Sequence, residues 1–215
     1  MHARGTLRQY LTFLAGAFIC ALGIGFISRA ALGSSPLSSI PFVLFLSTKV
    51  DMGRFTFAVN MLFLVLEAAL RRRIGWYQAL QVAATVAFSF CIDFALWLIP
   101  TQLQGPLPMK LLYLAVGCPT MALGITLEVF GGVVILPGEG FVKALAEKTG
   151  WEFGNVKMGF DCALTAVAAL LSLFAFRRLN GVGVGTVISA LAVGQLVRLY
   201  GRRFGHLRGW VRKEI

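Results

Sequence analysis

The sequence predicts an all-α polytopic membrane protein that contains an internal repeat, and three observations support this prediction. Hydrophobic residues make up 58% of the 215 residues and charged residues only 13%, about half the charged fraction of a soluble domain. Apolar runs at 11–27, 55–66 and 162–176 approach the length that a helix needs to cross about 30 Å of hydrocarbon. A shift of 101 positions carries Ala21-Leu22-Gly23-Ile24 onto Ala122-Leu123-Gly124-Ile125.

The same shift matches residues whose backbone requirements are special. It carries Gly16 to Gly117 and Pro36 to Pro137, and matched glycine and proline are harder to obtain by chance than matched leucine. We therefore predict a single membrane domain over 1–215, made of two repeats at about 10–100 and 110–201. Residues 202–215 are expected to form a basic cytoplasmic tail.

Each repeat is predicted to contain three long helices and one short helix. The short helices follow breaks in the chain, where Ser34 or Ser35 can cap and Pro36 suits the first helical position. In the loop 101–108, proline and glycine separate the repeats. The predicted helices are Tyr10 to Ser28, Pro36 to Thr48, Phe55 to Leu70, Trp76 to Leu98, Lys110 to Phe130, Pro137 to Lys148, Val156 to Phe176 and Val184 to Tyr200.

The number of membrane crossings depends on whether the two short helices span the bilayer or re-enter. With eight crossings, Arg71 to Arg73 would lie opposite the N-terminus and the basic tail. With six crossings all three share the cytoplasmic side, and only Arg177 and Arg178 conflict with the positive-inside rule. Six crossings are favoured, and three per copy make the repeat inverted, as in many secondary transporters.

Charge and cysteine usage exclude several functions. The net charge is +11, but the basic residues cluster between apolar runs, which is typical of headgroup contacts and not of a nucleic-acid groove. Cys20, Cys91, Cys118 and Cys162 stand alone in apolar segments, so no metal site or cofactor is predicted. No set of nucleophile and base can be assembled within the membrane part, so the sequence does not predict an enzyme.

The two broken segments are the first candidate solute-binding residues, which comprise Gly33, Ser34, Ser35, Pro36, Pro137, Gly138 and Glu139. A helix that starts at such a proline directs free N–H groups and a positive dipole end into the protein, which suits an anionic group. The alternative is a plain capped turn at the membrane surface.

Polar residues inside apolar helices are the other candidates. Asn60 and Asp161 are matched by the repeat, and ionisable groups at such a depth are costly and often functional; a structural hydrogen bond is the alternative. Asp93 is expected to line a cavity. Glu128 is expected at the surface, and Glu67 is expected to pair with Arg71 one helical turn later at the membrane interface.

The chain resembles the YczE/YyaS/YitT group of small bacterial integral membrane proteins over nearly all of its length. Three motifs carry the resemblance: Ala31-Leu32-Gly33-Ser34-Ser35-Pro36, Pro137-Gly138-Glu139-Gly140 and Gly183-Val184-Gly185-Thr186-Val187-Ile188. The resemblance implies a multi-pass protein of the bacterial cytoplasmic membrane, from a transporter-like group without a settled substrate. It supplies no catalytic residues.

These observations favour a small-solute transporter or permease, with an organic anion as one substrate class and the solute held at the repeat interface. The expected partners are the lipid bilayer and the solute, with no nucleic acid and with both termini cytoplasmic. The alternative is a binding subunit or accessory protein that works only within a partner membrane complex. The sequence leaves open whether the chain forms a homo-oligomer.

Overall fold

The described part of the chain contains eight α-helices of twelve or more residues. The computed structural model describes residues 6–48, 50–72, 75–101, 105–151, 153–205 and 211. In chain order the helices are α1 (Leu7–Arg29), α2 (Pro36–Ser47), α3 (Met52–Arg71), α4 (Trp76–Leu98), α5 (Leu107–Gly131), α6 (Pro137–Thr149), α7 (Phe153–Phe176) and α8 (Val184–Arg203). Most of the predicted basic tail, 206–210 and 212–215, lies outside the described residues.

Six of the eight helices are long and apolar enough to cross a membrane: α1, α3, α4, α5, α7 and α8. The short helices differ from each other in polarity. The 12-residue helix α2 is apolar, whereas α6 carries Lys143, Glu147 and Lys148. The predicted class, an all-helical membrane protein with six long apolar helices and two short ones, is confirmed for the described residues.

The centre of the protein is a seam between α1 and α5, which run antiparallel. A Cβ atom at Gly23 would overlap the Met121 backbone, and one at Gly124 would overlap the Cys20 backbone. Small residues allow such close contact between helices, which in lipid associate by packing and not by hydrophobic drive. The seam therefore holds the two halves of the chain together backbone against backbone.

The remaining helices pack around this seam in pairs. Helix α4 packs on α1 and α8 packs on α5, while α2 lies against α7 and α6 lies against α3. Apolar residues of α1, α4 and α5 form most of the buried core, with contributions from α2, α3, α8 and the segment before α6. Each short helix therefore packs against a long helix from the other half of the chain.

Two side-chain contacts relate the ends of the long helices. The Arg29 guanidinium, at the end of α1, donates a hydrogen bond to the Leu96 carbonyl near the end of α4. The Gly53 N–H, in the first turn of α3, donates to Asp93 Oδ1 over 2.6 Å. The end of α1, the start of α3 and the end of α4 therefore lie together.

Candidate functional site

The N-terminal ends of the two short helices meet in the protein interior. Pro36 and Pro137 are both buried, and a Cβ atom at Gly138 would lie 3.1 Å from Leu37 Cδ1. Proline fits the first helical position in both cases because its missing N–H is not needed there. We call the residues around this meeting point the junction; it comprises 28–39, 128–140, 183–186 and the α3 and α4 side chains that contact them.

At the α2 end of the junction, the broken segment docks onto the start of α8. The Ser34 N–H donates to Thr186 Oγ1 over 3.2 Å, and the Gly185 N–H donates to the Leu32 carbonyl over 2.8 Å. Gly33 has a φ of +129°, a conformation that residues with a Cβ rarely adopt. Two of the three motifs that carry the family resemblance are thus in direct contact.

Hydroxyl groups line the α2 end. Ser28 Oγ and Ser34 Oγ lie 3.3 Å apart in hydrogen-bond contact, and Ser39 Oγ donates to the Pro36 carbonyl over 2.6 Å. Ser35, one of the two residues that the sequence offers for capping, is the N-cap residue, but its side chain makes no capping bond. It is 2% exposed, and its Oγ atom has no hydrogen-bond partner among the described residues. Buried polar atoms are normally paired, so this hydroxyl is an exception to that rule.

At the α6 end, the broken segment docks onto α4. The Ile135 N–H donates to the Tyr77 hydroxyl and the Ile135 carbonyl accepts from Gln81 Nε2, both over 3.0 Å. Gln81 Nε2 also donates to Glu67 Oε2 over 2.9 Å. Ile135 is the residue that the 101-residue shift matches to Ser34, so equivalent N–H groups are held by side-chain hydroxyls at both ends.

Glu67 anchors the α6 end through a chain of charged contacts. Its Oε1 accepts from Arg71 Nε over 2.9 Å, and Arg71 Nη1 pairs with Glu147 Oε2 over 2.6 Å. The predicted pairing of Glu67 with Arg71 is confirmed, but Glu67 is only 2% exposed. A Cβ atom at Gly140 would overlap Glu67 Oε2, so glycine in the first turn of α6 makes room for this carboxylate.

Glu128 lies at the α1–α5 seam, and the expectation that it would be a surface residue is wrong. The residue is 8% exposed, and its Oε1 has no hydrogen-bond partner among the described residues. The Cys20 thiol of α1 and the Glu139 carboxylate of α6 both lie within electrostatic range of this carboxyl group. Its burial follows from the packing of α1 on α5, which the helical position alone does not reveal.

The other predicted site residues make contacts outside the broken segments. Asp93 caps the start of α3 through Gly53. The Asn60 side chain is buried and donates to the Thr56 carbonyl of its own helix over 2.9 Å. Asp161 pairs with Lys157 over 3.0 Å along α7, with both side chains about one quarter exposed. None of these contacts joins the three residues to the broken segments.

Two surface cavities lie near the C-terminal end of α6. One of about 540 Å³ is lined by Lys143, Ala146, Glu147, Gly150 and Trp151. The other, of about 300 Å³, lies between α6 and α7 against Phe160. Both cavities lie at the opposite end of α6 from Pro137. At the Pro137 end, Leu37 and Gly138 are in contact.

Eight helices with six apolar spans and a buried polar junction define a polytopic helical membrane protein. Residues 7–202 match a family of unknown function, DUF6198, and the chain belongs to that family. It is also 23% identical over 192 residues to the uncharacterised membrane protein YczE of Bacillus subtilis strain 168, covering 88% of this chain and 84% of that protein. These findings support the predicted YczE-like membrane family. No solved structure matches the chain.

Proposed function

We propose that the protein is a small-solute transporter of the bacterial cytoplasmic membrane that binds an organic anion at the α2 end of the junction. The unpartnered Ser35 hydroxyl is the observation that carries the proposal, because it is buried at the N-terminus of an interrupted segment. Transporters bind anionic groups at such helix ends, where the dipole is positive and backbone N–H groups are free. The Ser35 hydroxyl and the Leu37 N–H, which is the first N–H of α2 because Pro36 has none, would hold a carboxylate or sulfonate.

The two halves are proposed to be an inverted repeat. The antiparallel seam supports this, since Gly23 faces Met121 while Gly124 faces Cys20, and the 101-residue shift exchanges these two contacts. The other helix pairs follow the same exchange: α1 with α4 corresponds to α5 with α8, and α2 with α7 corresponds to α6 with α3. An interface in which residue i meets j and j meets i is the signature of twofold symmetry.

The helix ends also support re-entry of the short helices, which gives six crossings. The end of α1 and the start of α3 both lie beside the end of α4, so α2 would begin and end on one side of the membrane. Glu147, near the end of α6, pairs with Arg71 at the end of α3. In this topology both termini, Arg71 and the end of α6 share the cytoplasmic side.

Solute binding on this proposal requires movement at the junction. Leu37 packs against Gly138, so the two helix ends must separate before a solute can reach Ser35. Glu139, in the first turn of α6, would repel an anion from that end and favour the neutral α2 end. Rocking of one half against the other around a fixed site is the usual route in transporters built from inverted repeats.

Uptake of labelled acetate, lactate and methanesulfonate into proteoliposomes tests the proposal, with choline as a cationic control. We expect saturable uptake of at least one anion, reduced about tenfold or more in Ser35→Ala. Ser39→Ala is the matched control, since that hydroxyl is already bonded to the Pro36 carbonyl, and it should keep most of the flux. Absence of saturable flux for every anion, or equal flux in Ser35→Ala and wild type, would contradict the proposal.

The same preparation distinguishes transport from the rival function, in which the protein is a subunit that works only with a partner complex. Loss of all flux together with stoichiometric co-purification of another membrane protein or ATPase would favour it.

Side-specific labelling with a membrane-impermeant maleimide tests the topology. Thr48→Cys, Arg72→Cys and Lys148→Cys would each be made in a background without native cysteines. Six crossings predict that Arg72→Cys and Lys148→Cys react from the cytoplasmic side and Thr48→Cys from the other. Eight crossings predict instead that Thr48→Cys and Lys148→Cys react from the same side, opposite Arg72→Cys.

A further inference from the structure

Glu128 is a buried carboxyl group that the anion-binding proposal does not use. It lies on α5 at the seam with α1, is 8% exposed, and has one oxygen without a partner. We propose that Glu128 is a reversible proton-binding site and that its proton is the coupling ion of the transporter. The coupling part rests on the function proposed above, whereas proton binding does not.

Among the described residues, the groups that act on Glu128 carry no positive charge. Cys20 of α1 offers a thiol, Gly16 contributes only backbone, and Glu139 of α6 adds a second carboxylate. Helix α8 also packs on α5, and its arginines are all exposed: Arg198, Arg202 and Arg203. A carboxylate buried without a cation is strongly disfavoured, so proton uptake is the physical response.

The surroundings favour a proton over a metal cation. Hard cations require about six oxygen ligands, whereas the side chains that act on Glu128 electrostatically are one thiol and one second carboxylate. Within the described residues there is no group of three or more His, Cys, Asp or Glu side chains that could hold a metal ion. The proton would add to the unpartnered Glu128 Oε1 from water and return to water when the carboxyl group ionises.

Ionisation of Glu128 provides a route to movement of α6. Glu139 lies in the first turn of that helix, next to the Gly138 contact with Leu37. When Glu128 loses its proton, repulsion between the two carboxylates acts on the N-terminal end of α6. The proton-bound state would hold the junction closed, and the ionised state would favour its opening.

Infrared difference spectroscopy of the full chain in nanodiscs tests proton binding without any solute. We expect a carbonyl band of a protonated carboxylic acid at low pH that is lost as the pH rises. The band should be absent in Glu128→Gln and retained in Glu67→Gln, which alters a buried carboxylate that is already paired with Arg71. A wild-type spectrum without the band, a band that pH does not change, or a band that survives in Glu128→Gln would overturn the proposal.

Proteoliposomes loaded with the pH dye pyranine test the coupling separately. With whichever of acetate, lactate or methanesulfonate the wild type transports, the dye should report proton movement. Glu128→Gln, which mimics the proton-bound closed state, should abolish both this proton movement and solute uptake. Proton movement of equal size in Glu128→Gln would overturn the coupling. If no anion is transported, the proposed transport function fails and the coupling fails with it, while the infrared result still decides proton binding.

Discussion

The two ends of the junction have the same architecture and opposite chemistry. Both short helices begin with proline, and both broken segments dock through a backbone N–H onto a hydroxyl of a long helix from the other half, Thr186 or Tyr77. The α2 end is lined with neutral hydroxyls, and one of them, Ser35, has no partner. The α6 end is fixed by a buried carboxylate, Glu67, both of whose oxygens accept hydrogen bonds.

On the proposed transport function, this difference gives the two similar segments different roles, one fixed in place and one binding the solute. Paired buried polar groups rigidify a structure. At the α6 end both oxygens of Glu67 are paired, although the buried Gln81 Oε1 beside them has no hydrogen-bond partner among the described residues. The α6 end therefore serves as an anchor tied to α3 and α4, and the α2 end is the proposed binding site. The following predictions test this division, from the largest expected change in stability to the smallest.

Glu67→Ala should have the largest effect, because it removes the centre of the α6 anchor. Loss of one partner from a buried ion pair costs about 3 kcal/mol or more of unfolding free energy, and the lower figure applies since Arg71 is partly exposed and keeps Glu147. Denaturant titration in detergent micelles measures the loss. Asp161→Ala, which breaks the partly exposed pair with Lys157, should cost only about 0.5 kcal/mol; equal losses would show that the anchor is no stronger than a surface pair.

Gly33→Ala tests the backbone of the α2 end. At a φ of +129° a Cβ atom is strained and would also overlap Thr186 Oγ1, so we expect a loss of about 2–3 kcal/mol. Gly150→Ala is the matched control: its φ is +73°, and there is open space around a Cβ, so strain alone should cost about 1 kcal/mol. Thermal unfolding of the two variants compares them. If Gly33→Ala loses no more unfolding free energy than Gly150→Ala, the contact between the broken segment and α8 can deform at little cost.

Thr186→Val and Tyr77→Phe form a pair that compares the two docks directly. Each removes the hydroxyl that accepts a backbone N–H, from Ser34 over 3.2 Å or from Ile135 over 3.0 Å. An unsatisfied buried N–H costs about 1–2 kcal/mol, and similar losses are expected in denaturant titration. If only one of the two variants loses stability, then only that end of the junction depends on the hydrogen bond to its hydroxyl.

Ser35→Ala should have the smallest effect on stability. Its hydroxyl has no hydrogen bond to lose, and removal of an unpaired buried polar atom is neutral or slightly stabilising, within about 0.5 kcal/mol. Thermal unfolding next to Ser39→Ala, which loses the bond to Pro36, provides the check. Destabilisation by Ser35→Ala that equals or exceeds that of Ser39→Ala would give the hydroxyl a structural role and weaken the proposed binding site.

Local features of the chain were largely predictable. Pro36 is the first residue of α2, as turn chemistry indicated, and Ser35, one of two candidates, is its N-cap residue. Glu67 pairs with Arg71, as the helical spacing predicted. Burial was not predictable to the same degree. Glu128 and Glu67 were both expected near the surface. Their burial could not be predicted from their own helices, because their partners Cys20, Gln81 and Gly140 come from elements distant in the sequence.

By itself, the sequence determined the membrane class, the eight helices and the residues at which the short ones begin. Apolar length, proline position and spacing along one helix are local properties that composition and periodicity record directly. The tertiary structure alone decided that 33–35 dock on α8, that 135 docks on α4, and that Glu128 faces the α1–α5 seam. These arrangements depend on which helix faces approach each other, and in an apolar chain many faces have nearly the same hydrophobicity, so glycine contacts and paired polar groups select among them.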